Sequence, residues 1–442
     1  MNILTKVGAA LQLLFGTIAE DAGKVAGIIV RQRKFTCLSL ARTFVLGFLH
    51  KPNASDEDLA QMAVQCGVAV TPQAVEQRHT AKLVTFLEEL FRHAATVVVA
   101  STRTLATLLD RFTNVTILDS TTITVPDSMR ERFRGCGGRH GSGKAALKLQ
   151  VELDLRTGAL SHIEIEPGRS PDAATVRQHA AYPAGSLRIA DLGYFNVSVF
   201  AEMVQLSVYF LSRLQFGTKV YPLVGQAVAI LEWLAQQPGP LVDQPILLGA
   251  AGRLPCRLIA WRLPKEQANR RRQKLRQEML RKKGSVPSVA RLAWCDWTIL
   301  VTSVPEALLT PPEAVVLYRA RWQVELLFKR WKSQDLVAVL SGSTEVRQMV
   351  RVWARLLAAL VQHWLLVASV WGDPTRSWGK VCEAIRAFVG RLIAALDQLL
   401  ELEKVLDDLH RTAAKTCQRN KRSQPGTLEM LNDPSLLDFE LA

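Results

Sequence analysis

Apolar residues recur at helical spacing through Val7–Phe15 and again through Leu83–Phe91, so residues 1–112 predict a helical N-terminal region. The segment 51–56, Lys-Pro-Asn-Ala-Ser-Asp, interrupts the pattern and offers a cap. A helix-turn-helix is expected just beyond it. Asp58–Cys66 would be the first helix, Gly67 the turn, and Thr71-Pro72 the N-cap and first residue of the second. That second helix carries Gln73, Glu76, Gln77, Arg78 and His79, side-chain types that read a nucleic-acid groove. An ordinary helical hairpin with a polar outer face has the same pattern.

From residue 113 the period changes. Val115–Leu118 is a short apolar run ending on Asp119, and Thr121–Val125 is a β-branched strand. Leu147, Leu149, Val151, Leu153 and Leu155 alternate strictly with Lys148, Gln150, Glu152 and Asp154, which predicts a half-buried strand. Arg156-Thr157-Gly158 turns it into a hairpin with Ser161–Ile165. A helix near Ala173–Ala181 is expected next. Then come the strand Leu187–Ala190 ending on Asp191, a helix at about 197–206, and the strand Val208–Leu214.

Residues 215–296 read as a β-rich insertion, with a turn at 238–240 and short strands at Pro245–Leu248 and Cys256–Trp261. It ends in a basic helix containing Arg270, Arg271, Arg272 and Lys274, where Glu278 is the only acid within 270–283. Such a run is either a solvated helix face or an arm that contacts phosphates. The strand Thr298–Thr302 returns the chain to an α/β core made of 113–214 and 297–340. One long helix is expected from about Pro312 to Lys332. Residues 341–442 form a helical C-terminal region, and the low periodicity after about 413 predicts a mobile tail.

Length and charge narrow the function. At roughly 100–200 residues per domain, 442 residues suggest two to four units. With 55 Lys and Arg against 40 Asp and Glu, the net charge of +15 favours a polyanionic partner, either nucleic acid or an anionic membrane. The longest apolar stretch, Leu356–Trp371, is interrupted by Gln362 and His363 and falls short of the roughly 20 residues that span a bilayer. Glu20, Asp21 and Lys24 break any signal-peptide pattern, so a cytoplasmic protein is expected. Seven dispersed cysteines without CxxC spacing suggest reduced thiols and no structural zinc.

Three carboxylates carry the candidate chemistry. Asp119 and Asp191 each end a short apolar strand, where a side chain leaves the core and can meet a metal ion. Glu325 lies on the long helix. Two Mg²⁺ ions roughly 4 Å apart need several such oxygens converging on one point. The helix reads Tyr318-x2-Arg321-x3-Glu325-x6-Lys332, with Lys329 four residues after Glu325. At about 3.6 residues per turn these side chains share one face. Spacing alone equally describes a plain ion-pair face among Arg321, Glu325 and Lys329.

The whole pattern resembles the YREK signature of bacterial cut-and-paste DDE transposases of the insertion-sequence four group. "LDSTTI" at 118–123, "ADLGYF" at 190–195 and "DWTILVTSVP" at 296–305 are similar to that family's strands around the two aspartates and before the glutamate helix. The resemblance covers about 115–335. It implies an RNase H-like core with a β-rich insertion, flanked by helical regions, the first of them binding DNA. Asp119, Asp191 and Glu325 would be catalytic and would hold two Mg²⁺ (or Mn²⁺) ions. Tyr318, Arg321, Lys329 and Lys332 would hold DNA phosphates. Trp297, with Trp294 as its rival, would stack on a flipped base. The protein would bind terminal inverted repeats, cleave the transposon ends and join the 3′-hydroxyls to target DNA, as a homodimer and without a nucleotide cofactor. The alternatives are a metal-dependent endonuclease and a catalytically silent DNA-binding inhibitor of transposition.

The stretch Gly138-x4-Gly143-Lys144 imitates a phosphate-binding loop but fails as one. Ala145 stands where Ser or Thr is needed, and a strand pattern follows where a helix should. Residues 134–144 read instead as a basic, Gly-rich loop. Asp127, Asp154 and Asp172 read as surface or capping carboxylates.

Overall fold

The computed structural model describes residues 2–28, 34–136, 144–239, 241–332, 344–373, 375–420 and 425–437, so most of the Gly-rich loop lies outside the described residues. The N-terminal region is helical as expected: α1 (Ile3–Leu13), α2 (Ala19–Ala26), α3 (Cys37–His50), α4 (Asp56–Gln65), α5 (Pro72–Glu76) and α6 (Ala81–Ala94). Thr36, Ser55, Thr71 and Thr80 cap α3 to α6 through their side-chain oxygens. The pair α4–α5 reproduces the predicted helix-turn-helix, with Gly67 at φ +80° in the turn. Its second helix is shorter than expected. Arg78 and His79 fall beyond its end: Arg78 lies over the Phe35 ring, and His79 Nε2 pairs with Asp56 at 3.1 Å.

The chain continues through β1 (Val115–Thr124), β2 (Ala146–Asp154), β3 (Leu160–Pro167), β4 (Leu187–Ala190), α7 (Val197–Gln205), β5 (Tyr209–Arg213) and β6 (Val220–Pro222). Next come α8 (Ile230–Ala235), β7 (Leu241–Leu248), β8 (Leu254–Arg262), α9 (Lys265–Lys283), α10 (Val289–Ala293) and β9 (Trp297–Thr302). The helices α11 (Pro311–Arg319), α12 (Trp322–Trp331), α13 (Glu345–Val370), α14 (Trp378–Ala395), α15 (Leu399–Thr416) and α16 (Thr427–Asn432) follow.

Several expectations change. β1 is one strand running through Asp119, not two. The helix expected near 173–181 is a pair of 3₁₀ turns, Asp172–Ala174 and Val176–His179. Thr175 between them is extended, and its hydroxyl accepts from Arg177 N–H, so it starts a new turn where a helix would have continued. The polar face of β2 is buried like its apolar face. The β3 hairpin supplies the partners: Gln150 donates to Glu166 at 3.3 Å and Ser161 to Glu152 at 2.6 Å.

Packing divides the chain into two compact units. The first gathers Met1–Leu105, Ser120–Ser170 and Gln323–Arg422; the second gathers Ala106–Asp119, Pro171–Trp322 and Ser423–Ala442. In the first, α13 packs against α1, α3, α6, α14 and α15, with Trp353 and Trp364 fully buried. By length and composition α13 could cross a membrane, as could Ile3–Ala26, but all of α13's apolar window is buried inside the protein, so it is a core helix. Its C-terminal half holds the β2–β3 turn. His363 Nε2–H donates to Gly158 O at 2.7 Å, and Trp371 Nε1–H donates to Arg156 O at 3.1 Å. Gly158 has φ +73°, and a Cβ there would meet the Trp371 ring at 2.4 Å. Complete burial lowers His363 to about 4, so its imidazole is neutral at pH 7.

In the second unit the strand order is β1-β4-β5-β9-β8-β7-β6. β1, β4 and β5 run parallel and the rest antiparallel. In the first unit β2 lies between β3 and the β1 strand. The antiparallel β2–β3 hairpin of the first unit and the parallel β1, β4 and β5 of the second are the mixed α/β elements expected of an RNase H-like core. Phe200 and Phe210 stack at 4.3 Å within the second unit's core, which also holds Leu118, Ala190, Leu258 and Val301. The tail departs from expectation. α16 packs on α11 and buries Leu428, Met430 and Leu431.

Candidate active site

β1 and β4 pair in register from Val115↔Leu187 to Leu118↔Ala190. The next residues are Asp119, which lies within β1, and Asp191, which follows the end of β4, so the two carboxylates come one step beyond the paired parallel segment on neighbouring strands. Arg321 lies between them. Its Nη1 is 3.4 Å from Asp119 Oδ2 and its Nε is 3.8 Å from Asp191 Oδ1. The Arg321 and Asp119 side chains are 11% and 15% exposed, so solvent screens that pair weakly, whereas Asp191 is 38% exposed. Tyr318, at the end of α11, has its ring centroid 6.0 Å from that guanidinium. Burial, and then the Asp191 charge, push the Tyr318 phenol up to about 12, so it stays neutral. Its hydroxyl is buried without a hydrogen-bond partner among the described residues.

The long helix expected across this region is broken. Arg321 N–H bonds to Tyr318 O at 3.2 Å, a three-residue closure that tightens the turn between α11 and α12. Helical periodicity therefore does not carry the shared face across residues 320–321. Tyr318 precedes the break and Arg321 lies in it, both in the second unit with Asp119 and Asp191. Glu325 and Lys329 follow on α12 and Lys332 just after it, in the first unit. Glu325 is half-buried, whereas Lys329 and Lys332 are exposed.

A cavity of about 270 Å³ opens beside Arg321. Arg213, Arg271, Arg319, Tyr318 and Trp322 line it with Arg321, and no carboxylate does. Arg271 comes from the basic run but is turned inward. It donates to Thr298 Oγ1 at 3.0 Å, and burial, then the neighbouring Arg213 charge, lower it to about 10. Arg272 is also engaged, pairing with Asp296 and donating to Asn269 at 2.7 Å. Only Arg270 and Lys274 of the four residues are exposed. The run is thus a helix with one inward and one outward basic face. Trp297 is 8% exposed and packs in the sheet core. Trp294 is half-buried, edge-on to Phe216 at 5.3 Å.

Sequence reasoning passed over Arg213, Arg319 and Trp322. The signal for Arg213 was available, because it ends β5 as Asp191 follows β4. Asp119 and Asp191 offer the hard oxygens that Mg²⁺ or Mn²⁺ takes, in a place that already accommodates positive charge, so the pair fits a divalent ion. Among the described residues no three His, Cys, Asp or Glu side chains stand ready-grouped for one.

A mixed sheet with aspartates beside each other on neighbouring parallel strands is that of a DDE/RNase H-like core. Residues 110–361 match the transposase DDE domain family, and the chain belongs to that family of insertion-sequence transposases. It is 27% identical over 366 residues to the transposase for insertion sequence element IS231B of Bacillus thuringiensis subsp. berliner, covering 77% of this chain and 75% of that one. It is 26% identical over 324 residues to the transposase for IS1151 of Clostridium perfringens, covering 67% and 66%. Over 259 residues it is 27% identical to the putative transposase InsL for IS186A of Escherichia coli strain K12, covering 54% and 66%.

Proposed function

We propose that this chain binds the terminal inverted repeats of an insertion sequence, cleaves the element's ends and joins the 3′-hydroxyls to target DNA. The observation that carries the reading is the placement of Asp119 and Asp191 directly after the paired parallel segments of β1 and β4, bridged by Arg321, in a member of this family. Members of the family generally use divalent metal ions. Asp119, Asp191 and Glu325 are the proposed ligands of two Mg²⁺ or Mn²⁺ ions. When bound, such ions lower the pKa of an attacking water and stabilise the leaving oxygen.

The protein groups then divide the remaining work. Arg321, Arg271 and the neutral Tyr318 phenol line a cavity that suits a phosphate, donating hydrogen bonds while screening its charge. Exposed Lys329, Lys332, Arg270 and Lys274 hold the duplex backbone at longer range. The freed 3′-hydroxyl is the nucleophile for joining. Exchange of one phosphodiester for another is nearly isoenergetic, so no nucleotide is consumed. A homodimer holding two DNA ends, working in the bacterial cytoplasm, completes the proposal.

The test is cleavage and strand transfer on DNA carrying the element's own terminal repeats, with Mg²⁺ or Mn²⁺. Asp119→Ala, Asp191→Ala and Glu325→Ala should each abolish cleavage and leave repeat binding intact. Full-rate cutting by any of them overturns that residue's role. Cutting by the unaltered protein without joining a pre-cut 3′-hydroxyl end leaves an endonuclease.

A further inference from the structure

The same guanidinium belongs to two places. Arg321 pairs with Asp119 and Asp191, and it also lines the basic cavity with Arg213, Arg271 and Arg319. In the first place it offsets one of the two negative charges proposed to hold metal. In the second it adds to a group of like charges with no acid among the lining residues, a space that favours an anion. A cation between two carboxylates opposes a second cation there, since the oxygens cannot serve both at full strength. A phosphate in the cavity offers Arg321 a competing, bidentate partner.

We infer that Arg321 is a charge gate: without DNA it occupies the aspartate pair and weakens metal binding, and a DNA phosphate seated in the cavity draws it away and opens the pair to the metal. Arg321 is here a positioning residue, and the exchange breaks only ion pairs and hydrogen bonds. The inference rests on the reading of Asp119 and Asp191 as metal ligands. It adds an order of events to that reading: DNA first, then metal. Arg271 holds the inner wall of the cavity through Thr298, so it fixes the anion's place without touching the aspartates.

Mn²⁺ binding to the full-length, DNA-free protein tests it, read from the electron paramagnetic resonance signal of free Mn²⁺. Sulfate serves as the anion probe, at ionic strength held constant with chloride. Arg321→Gln should bind Mn²⁺ roughly tenfold more tightly or better than the unaltered protein. Adding Asp119→Asn should remove that gain. Sulfate should tighten Mn²⁺ binding to the unaltered protein, do less in Arg271→Gln, and do nothing in Arg321→Gln. Arg321→Lys, which keeps a charge but lacks the fork, should fall between, and its thermal unfolding midpoint shows whether the fold is kept. If Arg321→Gln binds no better while Asp119→Asn weakens binding, the gate is wrong and the aspartate reading stands. If Asp119→Asn changes nothing in either background, the aspartate reading falls and the gate with it. A gain in Arg321→Gln with no sulfate effect on the unaltered protein overturns the coupling to phosphate.

Discussion

Arg271 donates to Thr298 Oγ1 at 3.0 Å, and with that bond one member of the basic run joins β9. Arg270 and Lys274, four residues apart, face solvent on the opposite side of α9. The pairs should therefore respond differently to mutation. Arg270→Gln with Lys274→Gln should leave stability unchanged and reduce the salt dependence of DNA binding, by about one unit of log–log slope for each phosphate no longer neutralised. Arg272→Gln, which removes the Asp296 pair, should cost up to about 1 kcal/mol in urea unfolding. Fluorescence anisotropy across a salt series measures the first effect. An unchanged slope in the double variant assigns the outer face to solvent alone.

Arg257 is the structural counterpart of Arg321. It grips Asp243 with two nitrogens and donates to Val304 O at 2.8 Å and Leu309 O at 3.0 Å, with both side chains less than a fifth exposed. Truncation to Ala leaves a buried carboxylate and two carbonyls without their donor. A loss of about 3–5 kcal/mol is expected, read from chemical denaturation. Arg257→Lys should recover only part of it, because one ammonium cannot reach all three acceptors at once.

His363 predicts a pH dependence. Its ordinary value of 6.5 is lowered to about 4 in the folded protein, mainly by burial. Both states are neutral above pH 6.5. As the pH falls below that, the unfolded chain takes up a proton that the folded chain refuses. This residue's share of stability is therefore lost progressively between about pH 6.5 and 4. His363→Gln should flatten the stability profile across that window, measured as the urea midpoint against pH. An identical slope in the variant would assign the titration elsewhere.

The tail gives a fourth test. Leu428 and Leu431 on α16 are 2% and 1% exposed. Replacing both with Asp should destabilise the protein by at least about 3 kcal/mol. Hydrogen exchange should report the loss first in α11, on which α16 packs.

What the sequence revealed and what it hid follow from the range of each signal. Asp191 was readable because a short apolar run that stops on a carboxylate marks a strand end; the same signal at Asp119 misled, because the β-branched residues after it continue β1 to Thr124. The break at Ala320–Arg321 was not, because neither Pro nor Gly stands there and the turn tightens through one backbone bond. α16 has six residues, too few for periodicity to show. The polar face of β2 alternates like a solvent-facing strand, and its burial depends on partners in β3 brought by the hairpin. The basic run showed its charge but not its facing, so Arg271 and Arg270 read alike. Trp297 showed its place on β9 in the sequence, but its packing in the sheet core depends on long-range contacts that the sequence does not display.

The two units are interleaved along the chain: the second opens at Ala106, yields to the first at Ser120, resumes at Pro171, yields again at Gln323 and closes with α16. Neither unit is a continuous stretch of polypeptide. During synthesis the sheet that bears Asp119 and Asp191 must wait for residues near 430 to leave the ribosome before its last helix can dock. A chain that stops anywhere upstream of α16 therefore lacks the helix that packs on α11, and its second unit is left incomplete.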